Sequence, residues 1–410
     1  MKHRNLLFLI CLGVFMAVCS GVAQAEKPIV IGAPMPLTGP FASSGEQMKM
    51  ALDLGVEELN AAGGLFGRQL KVIYGDVANV TVEEVKSVGE RILGAGVDLV
   101  ITGYDSPGRV NVKVYGQSDV PYLHGNAKSD CTQAVAENPD QYSNVFQYTY
   151  NEKEYGVDAI SHLFNIAEQI GWTPPNKKVA IITADYPYNA VPAAEFANIA
   201  KRLGYEVAVY ETTPFGVVEY GPILSKIEAH NPSFITYWDP VPADAARFMN
   251  QFVDYFGSQG IDALLYMQYT PSMPEFLELT GKNSDGLIWV GGVVEAGAPY
   301  EAYKKKWLAR YKKDPIGLYS IITRDAFEIW VQAVKRAGCV DCYKEIARLM
   351  RESPYVGVGA TFVFGPGDQS ALAGEYLMPL GWNQIWDGRH VVVTPKRFAK
   401  GTFRKPPWIK

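Results

Sequence analysis

The sequence lacks the common motifs of phosphate-using enzymes, of serine hydrolases and of metal sites. It contains no G-x-x-x-x-G-K-[ST] loop, and no G-x-G-x-x-G follows its first predicted strand. The segment Gly103–Gly108 reads G-x-x-S-x-G, one residue longer than the G-x-S-x-G turn of hydrolases. The five histidines are scattered, without the spacing of metal ligands. We therefore predict no cofactor, no metal and no enzymatic activity.

Positive charge and long apolar runs are also scarce. The 410 residues include 38 Lys and Arg against 43 Asp and Glu, a net charge of −5. Because a nucleic-acid-binding face needs an excess of basic residues, we predict no nucleic-acid partner. Beyond the N-terminal segment, no apolar run approaches the length of a membrane helix. The chain is long for one hydrophobic core, so we expect two lobes.

The first 25 residues are typical of a secretory signal peptide. Met1–Arg4 carries positive charge, Leu6–Val18 is apolar, and Ala23–Ala25 offers small residues at the two positions that a signal peptidase reads. The apolar run is too short for a membrane span. We expect the mature chain to start near Glu26, in the periplasm. The alternative, a lipid anchor on Cys19, ranks second because the residue before it is not small.

Cysteine is rare, with five in the whole chain, two of them in the signal segment. In an oxidising compartment we expect a local disulfide between Cys339 and Cys342. The alternative is a redox C-x-x-C, but that motif normally opens a helix after a strand, whereas this pair lies between two helical patterns. Cys131 is left over, and we expect it to be buried or to remain a thiol.

The remaining sequence alternates strand-like and helix-like segments. Strands are predicted at Pro28–Leu37, Gln69–Asp76, Asp98–Thr102, Val120–Leu123, Val179–Thr183, Tyr205–Glu211, Ser233–Trp238, Ala263–Gln268 and Leu287–Val290. Helix starts are predicted from capping boxes at Ser43, Ser44 and Thr81 and from Ser106–Pro107. Later segments predict helices at Tyr300–Tyr311, Ile322–Ala337 and Tyr343–Glu352, then a hairpin at Gln384–Val392. Two βαβ series predict an α/β fold with two parallel sheets.

Four segments give the chain a family resemblance. They are Ile31–Pro40, Asn60–Gly67, Tyr186–Tyr188 and the Gln384–Val392 hairpin. With them the chain resembles the periplasmic solute-binding proteins of ABC transporters, in the branched-chain amino acid-binding group. The resemblance implies a type I periplasmic binding protein, in which two Rossmann-like lobes with parallel sheets are joined by a three-crossover hinge. After the signal peptide at 1–25, we expect one lobe from 26–148 and 292–354, and a second from 149–291 and 355–410.

The ligand is expected beyond the carboxyl ends of the strands, where open α/β sheets bind ligands. The resemblance implies that Ser106 contacts a ligand carboxylate, and a helix N-terminus suits an anion; the alternative is that Ser106 only caps the helix. It also implies that Ala127 and Ser129 hold a carboxylate and an ammonium, and that Tyr188 clamps the ligand. The candidate ligand-binding residues are Ser44, Tyr104, Asp105, Ser106, Ala127, Lys128, Ser129, Tyr188, Trp238, Gln268, Tyr269 and Tyr319.

The candidate site departs from the family pattern in its charges. The family disulfide is missing, since Ala78 and Asp105 stand at its positions. Lys128 adds a positive charge, and the acid that amino acid binders place near Gln268 is absent. Either Asp105 binds an ammonium, or the ligand has no ammonium and Lys128 binds its carboxylate. The cleft aromatics suit a flat ligand through stacking or an alkylammonium through cation–π contact.

We therefore predict a monomeric receptor of an ABC importer. It would capture a small polar solute, an amino acid or a related carboxylate or amide, aromatic ones included, and pass it to a membrane permease. The alternatives are a sensor module of the same fold and, less favoured, a secreted hydrolase. Ligand-dependent melting would favour the binding proteins, and turnover of an ester or amide would favour the hydrolase.

Overall fold

The computed structural model describes residues 27–105, 107–313 and 317–410. The strands are β1 Ile29–Met35, β2 Leu70–Asp76, β3 Leu99–Thr102, β4 Tyr122–His124, β5 Val145–Gln147, β6 Lys178–Ala184, β7 Glu206–Thr213, β8 Phe234–Trp238, β9 Leu264–Met267, β10 Ile288–Gly291, β11 Tyr355–Val356, β12 Thr361–Phe362, β13 Gly381–Trp386 and β14 Arg389–Val392. The helices are α1 Ala42–Ala61, α2 Val82–Gly94, α3 Arg109–Tyr115, α4 Ser129–Glu137, α5 Glu152–Gln169, α6 Pro187–Arg202, α7 Gly221–His230, α8 Pro242–Phe256, α9 Pro274–Thr280, α10 Ala298–Tyr311, α11 Leu318–Ala337 and α12 Tyr343–Glu352.

The strands form two large sheets. The first sheet has the order β2-β1-β3-β4-β5, and its strands are all parallel. The second has the order β14-β13-β10-β9-β8-β6-β7, in which β6 to β10 are parallel and the β13–β14 hairpin is antiparallel. Strands such as β1 and β3 are buried along their whole length because helices cover both faces. The predicted α/β fold with two parallel-sheet lobes is confirmed.

The chain passes between the two sheets three times. It leaves the first sheet after β5, returns after β10, and crosses again between α12 and β13. On the return, α11 packs against α1 so closely that a Cβ on Gly55 would lie 2.7 Å from the Phe327 ring. The buried Arg324 of α11 also donates to Glu58 of α1 at 2.7 Å. These contacts fix the late helices to the first sheet.

Helix starts were predicted with mixed success. The capping box at Thr81 is confirmed, since Glu84 N donates to its hydroxyl at 3.3 Å and Thr81 N donates to the Glu84 carboxylate at 3.0 Å. The predicted start of α1 at a serine capping box is wrong. This helix begins at Ala42, after a 3₁₀ turn over Gly39–Phe41, and Phe41 takes the N-cap position without a side-chain hydrogen bond. The 3₁₀ turn leads directly into α1 and takes the place of a side-chain cap.

The prediction for the loop after β3 is also wrong in register. Ser106 lies outside the described residues. Pro107 is not the first helical residue, because α3 begins at Arg109 and Gly108 before it has φ of +108°. That backbone conformation suits glycine and interrupts a helix. The chain between 126 and 150, which has no clear pattern, contains the nine-residue α4 and the three-residue β5.

The cysteine prediction is confirmed where the structure tests it. Cys339 and Cys342 form a disulfide between α11 and α12. Cys131 on α4 is fully buried. Across the described ranges, no helix combines the length and apolar character that crossing a membrane requires.

Candidate ligand-binding site

A cavity lies at the carboxyl ends of both sheets, as predicted for ligands of open α/β sheets. It encloses about 630 Å³ of atom-free space, part of it open to solvent. The loops after β1, β3, β4, β5, β6, β8, β9 and β10 all contribute, together with the start of α11 and one late residue. The lining residues are Phe41, Tyr104, Gly125, Asn126, Ala127, Lys128, Thr149, Tyr150, Tyr155, Tyr186, Tyr188, Pro240, Tyr269, Gly292, Leu318, Tyr319, Ile322 and Met378.

Tyrosine rings form most of the cavity wall. Tyr319 joins the two sides, because its ring lies 5.0 Å from that of Tyr104 and 6.0 Å from that of Tyr269. Tyr188 packs edge-on to Tyr269 at 6.3 Å. Burial raises the pKa of Tyr104, Tyr188, Tyr269 and Tyr319 above the ordinary tyrosine value, so these phenols are neutral. The wall therefore offers flat faces for stacking and neutral hydroxyls.

Lys128 is the only charged side chain among the described lining residues. Lys128 is buried, with 8% of its surface exposed to solvent, and its backbone N–H donates to Gln147 Oε1 at 3.1 Å. Its side chain forms no salt bridge with a residue that the structure describes, although its positive charge opposes the rise that burial causes in the pKa of Glu152. Because a buried charge is costly without a partner, this ammonium is suited to an anionic group in the cavity.

Hydrogen bonds on the side away from the cavity hold the loop that carries Lys128 in place. Ala127 adopts φ of +54°, a conformation that costs a non-glycine residue on the order of 1 kcal/mol or more. Its carbonyl accepts from Glu152 N at 2.7 Å. The Glu152 carboxylate accepts from Ser129 N at 2.6 Å and from the Ser129 hydroxyl at 3.2 Å. Burial raises the pKa of Glu152. Ser129 therefore binds the protein's own carboxylate and does not line the cavity.

Asp105 lies behind the cavity wall, fully buried. Its Oδ1 accepts from Tyr122 OH at 2.6 Å and from Asn126 Nδ2 at 3.2 Å, and its N–H donates to Asn126 Oδ1 at 2.9 Å. Burial raises the pKa of Asp105 to about 6 although these hydrogen bonds oppose the rise. Asp105 thus ties the loop after β3 to Asn126, a lining residue.

The other predicted residues divide between the wall and the layer behind it. Tyr104, Ala127, Lys128, Tyr188, Tyr269 and Tyr319 line the cavity, whereas Ser44, Asp105, Ser129, Trp238 and Gln268 do not. Trp238 is buried in the core, where its indole N–H donates to Thr236 Oγ1 at 2.8 Å. Gln268 donates to Tyr188 OH at 3.0 Å. The Ser44 hydroxyl lies 3.9 Å from the Met273 sulfur.

Several lining residues were missed by the sequence analysis. Thr149 and Tyr150 follow β5, so recognising that strand would have placed them at the carboxyl edge. Asn126 follows β4 and was passed over, although the family pattern singled out its neighbour Ala127. Leu318 and Met378 reach the cavity only through the second and third crossings, and no local pattern predicts them.

Rings from both sheets meet beside the cavity. Phe41, in the loop after β1, lies 5.6 Å from Tyr186 and 5.8 Å from Phe215, both in loops of the second sheet. Tyr186 and Phe215 are themselves 5.6 Å apart. This cross-sheet cluster of Phe41, Tyr186 and Phe215 joins the two walls. Within the described ranges, no group of three or more His, Cys, Asp or Glu side chains could hold a metal ion.

Comparison with known proteins agrees with this geometry. The model of the family described as periplasmic binding protein matches residues 28–381. The parallel sheets in two lobes match structures of type I periplasmic binding proteins. The chain belongs to the periplasmic binding protein family, whose members are solute-binding proteins, and it is similar to proteins of branched-chain amino acid ABC transporters.

Individual relatives are similar over nearly the full chain. A Leu/Ile/Val-binding protein homolog 2 from Brucella abortus is 23% identical, covering 93% of this chain and 96% of its own. The crystal structure of a branched-chain amino acid ABC transporter protein from Silicibacter pomeroyi has a TM-score of 0.83 at 29% identity, covering 93% of this chain and 100% of its own.

Two solved structures with bound ligands share the fold at lower identity. A substrate-binding protein from Streptococcus pneumoniae, in complex with isoleucine, has a TM-score of 0.71 at 20% identity and covers 90% of this chain and 100% of its own. A solute-binding protein from R. palustris, in complex with benzoate, has a TM-score of 0.73 at 18% identity and covers 89% of this chain and 95% of its own.

Proposed function

We propose that this chain is the solute-binding receptor of an ABC importer and that its ligand is a small organic carboxylate with a flat, apolar body. The supporting observation is Lys128, a buried ammonium without a described salt-bridge partner, inside a cavity walled by tyrosines. A ligand carboxylate would pair with this ammonium by a charge-assisted hydrogen bond. The rings would cover the body of the ligand by stacking.

An amino acid is the second candidate, and the missing acid disfavours it. The ammonium of an amino acid needs an anionic partner once it is buried. No described lining residue carries a carboxylate. The Asp105 carboxylate, behind Asn126, accepts a hydrogen bond from the Asn126 side chain, and the Glu152 carboxylate accepts one from the Ser129 N–H. The isoleucine and benzoate complexes of the related folds represent these two ligand classes. The charges of this cavity favour the class without an ammonium.

The cellular role follows from the family and from the N-terminal segment. We propose that residues 1–25 are a signal peptide that is removed on export, that the protein acts in the periplasm as a monomer, and that it delivers its ligand to a membrane permease without turning it over. The first lobe would comprise 26–148 and 292–354, and the second 149–291 and 355–410. Support comes from the family of periplasmic solute-binding proteins and from the three crossings of the chain.

A matched set of probes tests the ligand class. Benzoate, benzamide and benzylamine share one ring and carry a negative, a neutral and a positive group, and isoleucine and phenylalanine add the amino acid class. The protein without residues 1–25, unfolded and refolded to remove co-purified ligand, is titrated with each while its melting temperature is followed. We expect benzoate to raise the melting temperature and benzamide and benzylamine not to, because a ligand stabilises the state that binds it.

Two results would count against the proposal. If an amino acid or benzylamine stabilises the protein most, the ligand class is wrong although the receptor role stands. If no small solute in this set or in a wider carboxylate panel changes the melting temperature, the receptor role itself loses its support.

A further inference from the structure

We propose that Tyr150 and Tyr155 form a second hydrogen-bonding subsite in the cavity, which selects ligands that carry a hydroxyl or carbonyl oxygen on the body in addition to their carboxylate. The inference rests on the proposed function, since it assumes that a small carboxylate binds there. Both tyrosines line the cavity, and they are 3% and 4% exposed. The hydroxyl of Tyr150 is buried and has no hydrogen-bond partner among the described residues.

The two hydroxyls converge on one point of the cavity surface. A Cβ on Gly292 would lie 3.1 Å from Tyr150 OH and 3.1 Å from Tyr155 OH. Gly292 lines the cavity, and its lack of a side chain lets both hydroxyls approach it this closely. The rings are 5.2 Å apart and tilted by 50°. The two hydroxyls are near enough for each to shift the pKa of the other, although their positions do not meet the distance and angle of a hydrogen bond. A ligand oxygen could therefore bind both.

Lys128 and the two hydroxyls lie on adjacent segments. Glu152 N donates to Ala127 O, so the segment that carries Tyr150 runs beside the loop that carries Lys128. Thr149 Oγ1, on the same segment, is also buried without a described partner. The structure thus gathers a cation and two unsatisfied hydroxyls, those of Thr149 and Tyr150, around one part of the cavity.

The energetics favour a ligand that supplies a partner. Leaving a buried hydroxyl unsatisfied is costly, and a site built to hydrogen-bond a ligand group discriminates against the analogue that lacks it. Burial raises the pKa of Tyr150 far above its usual range and that of Tyr155 to about 12. Both phenols are therefore neutral, and each can donate to a ligand oxygen or accept from a ligand hydroxyl.

Tyr188 provides a matched control. It lines the same cavity, but its hydroxyl already accepts a hydrogen bond from Gln268 Nε2 at 3.0 Å. Tyr150→Phe, Tyr155→Phe, the double variant and Tyr188→Phe each remove one or two hydroxyls and keep the rings. Melting temperatures without ligand establish that every variant folds.

The experiment measures dissociation constants for benzoate and for 2-, 3- and 4-hydroxybenzoate by calorimetry. We expect the wild-type protein to bind one hydroxybenzoate at least about tenfold more tightly than benzoate. Tyr150→Phe and the double variant should abolish this preference and leave the affinity for benzoate within about threefold. Tyr188→Phe should keep the preference.

Two outcomes overturn the subsite: a wild-type protein that binds benzoate but prefers none of the three isomers, or a preference that survives in the double variant. If wild type binds none of the four probes, the proposed carboxylate class fails and the subsite fails with it. Binding of benzoate thus separates the two failures.

Discussion

The two walls of the cavity are built on different principles. The wall from the first sheet is held by buried polar groups, with Asp105 bonded to Asn126 and Glu152 bonded to Ser129. The wall from the second sheet is mainly rings packed on rings, such as Tyr188 on Tyr269. Hydrogen bonds fix direction, whereas ring contacts tolerate small displacements. The first wall therefore suits the placing of a polar ligand group, and the second suits the covering of an apolar body.

Each wall also carries a buried aspartate just beyond a strand. Asp105 follows β3, and Asp239 follows β8 and accepts from Val241 N at 2.8 Å. Burial raises the pKa of Asp105 to about 6 and that of Asp239 to about 7. Asp105 bonds to the side chain of a lining residue, whereas Asp239 bonds to the backbone N–H of its own loop and to Tyr237. The first wall alone couples such an acid to a polar side chain of the cavity.

The largest expected effect comes from removing the charge of the first wall. Lys128→Met should weaken benzoate binding about 100-fold, because a hydrogen bond between charged groups contributes about 1.5–3 kcal/mol. The free energy of unfolding without ligand should not fall, since the change removes a buried charge that forms no salt bridge with a described residue. The carboxylate on which this charge acts, Glu152, keeps its hydrogen bonds from Ser129. Calorimetry and denaturant unfolding measure the two quantities.

Lys153→Met is the matched control for this change, because Lys153 is exposed on α5. It should leave benzoate affinity unchanged. Equal affinity in the Lys128 and Lys153 variants would contradict the assignment of Lys128 as the carboxylate partner and remove the polar role of the first wall.

The next effect is a pH dependence that Asp105 contributes to stability. Its folded pKa of about 6 is above the usual 3.8, so between these values the folded protein holds a proton that the unfolded chain has released. The contribution of Asp105 to the free energy of unfolding is fully present below pH 4 and is lost as the pH rises through about 6. Relative to Asp105→Asn, the wild-type free energy of unfolding should drop on the order of 2 kcal/mol between pH 4 and pH 7.

Denaturant unfolding of both proteins at several pH values measures this difference. Asp119→Asn, at an exposed position, serves as the reference for a change of charge alone. A constant difference between wild type and Asp105→Asn from pH 4 to pH 7 would contradict the assignment.

The smallest effect concerns the contact between the walls. Phe215 does not line the cavity, but its ring packs on Phe41 at 5.8 Å and on Tyr186 at 5.6 Å. Phe215→Ala should weaken ligand binding about fivefold, because an aromatic pair contributes about 0.5–1.5 kcal/mol and the pair with Phe41 forms only when the walls meet. Tyr210→Ala, at an exposed position on β7, should leave the affinity unchanged. Identical affinities of both variants would show that the cross-sheet cluster does not stabilise the ligand-bound state.

The sequence predicted the parts of the fold that have strong local patterns. Apolar strands such as β3 and the capping box at Thr81 were recognised because each is encoded within a few residues. The three-residue β5 and the nine-residue α4 were missed because such short elements carry little periodicity. At the site, Tyr104 and Lys128 were found because they follow predicted strands. Trp238, the last residue of a predicted strand, was chosen as well, but its side chain lies in the core.

By itself, the sequence determined two parallel sheets, a local disulfide, and the residue types at the strand ends. Only the tertiary structure decided which of these side chains face the cavity. The partners of Asp105 and Ser129 come from Tyr122 and Glu152, 17 and 23 residues away. Buried polar groups must find hydrogen-bond partners wherever the fold brings them, and local sequence patterns do not show which residues these partners are. It places Asp105 and Ser129 behind the wall and leaves Lys128 and the tyrosines facing the cavity.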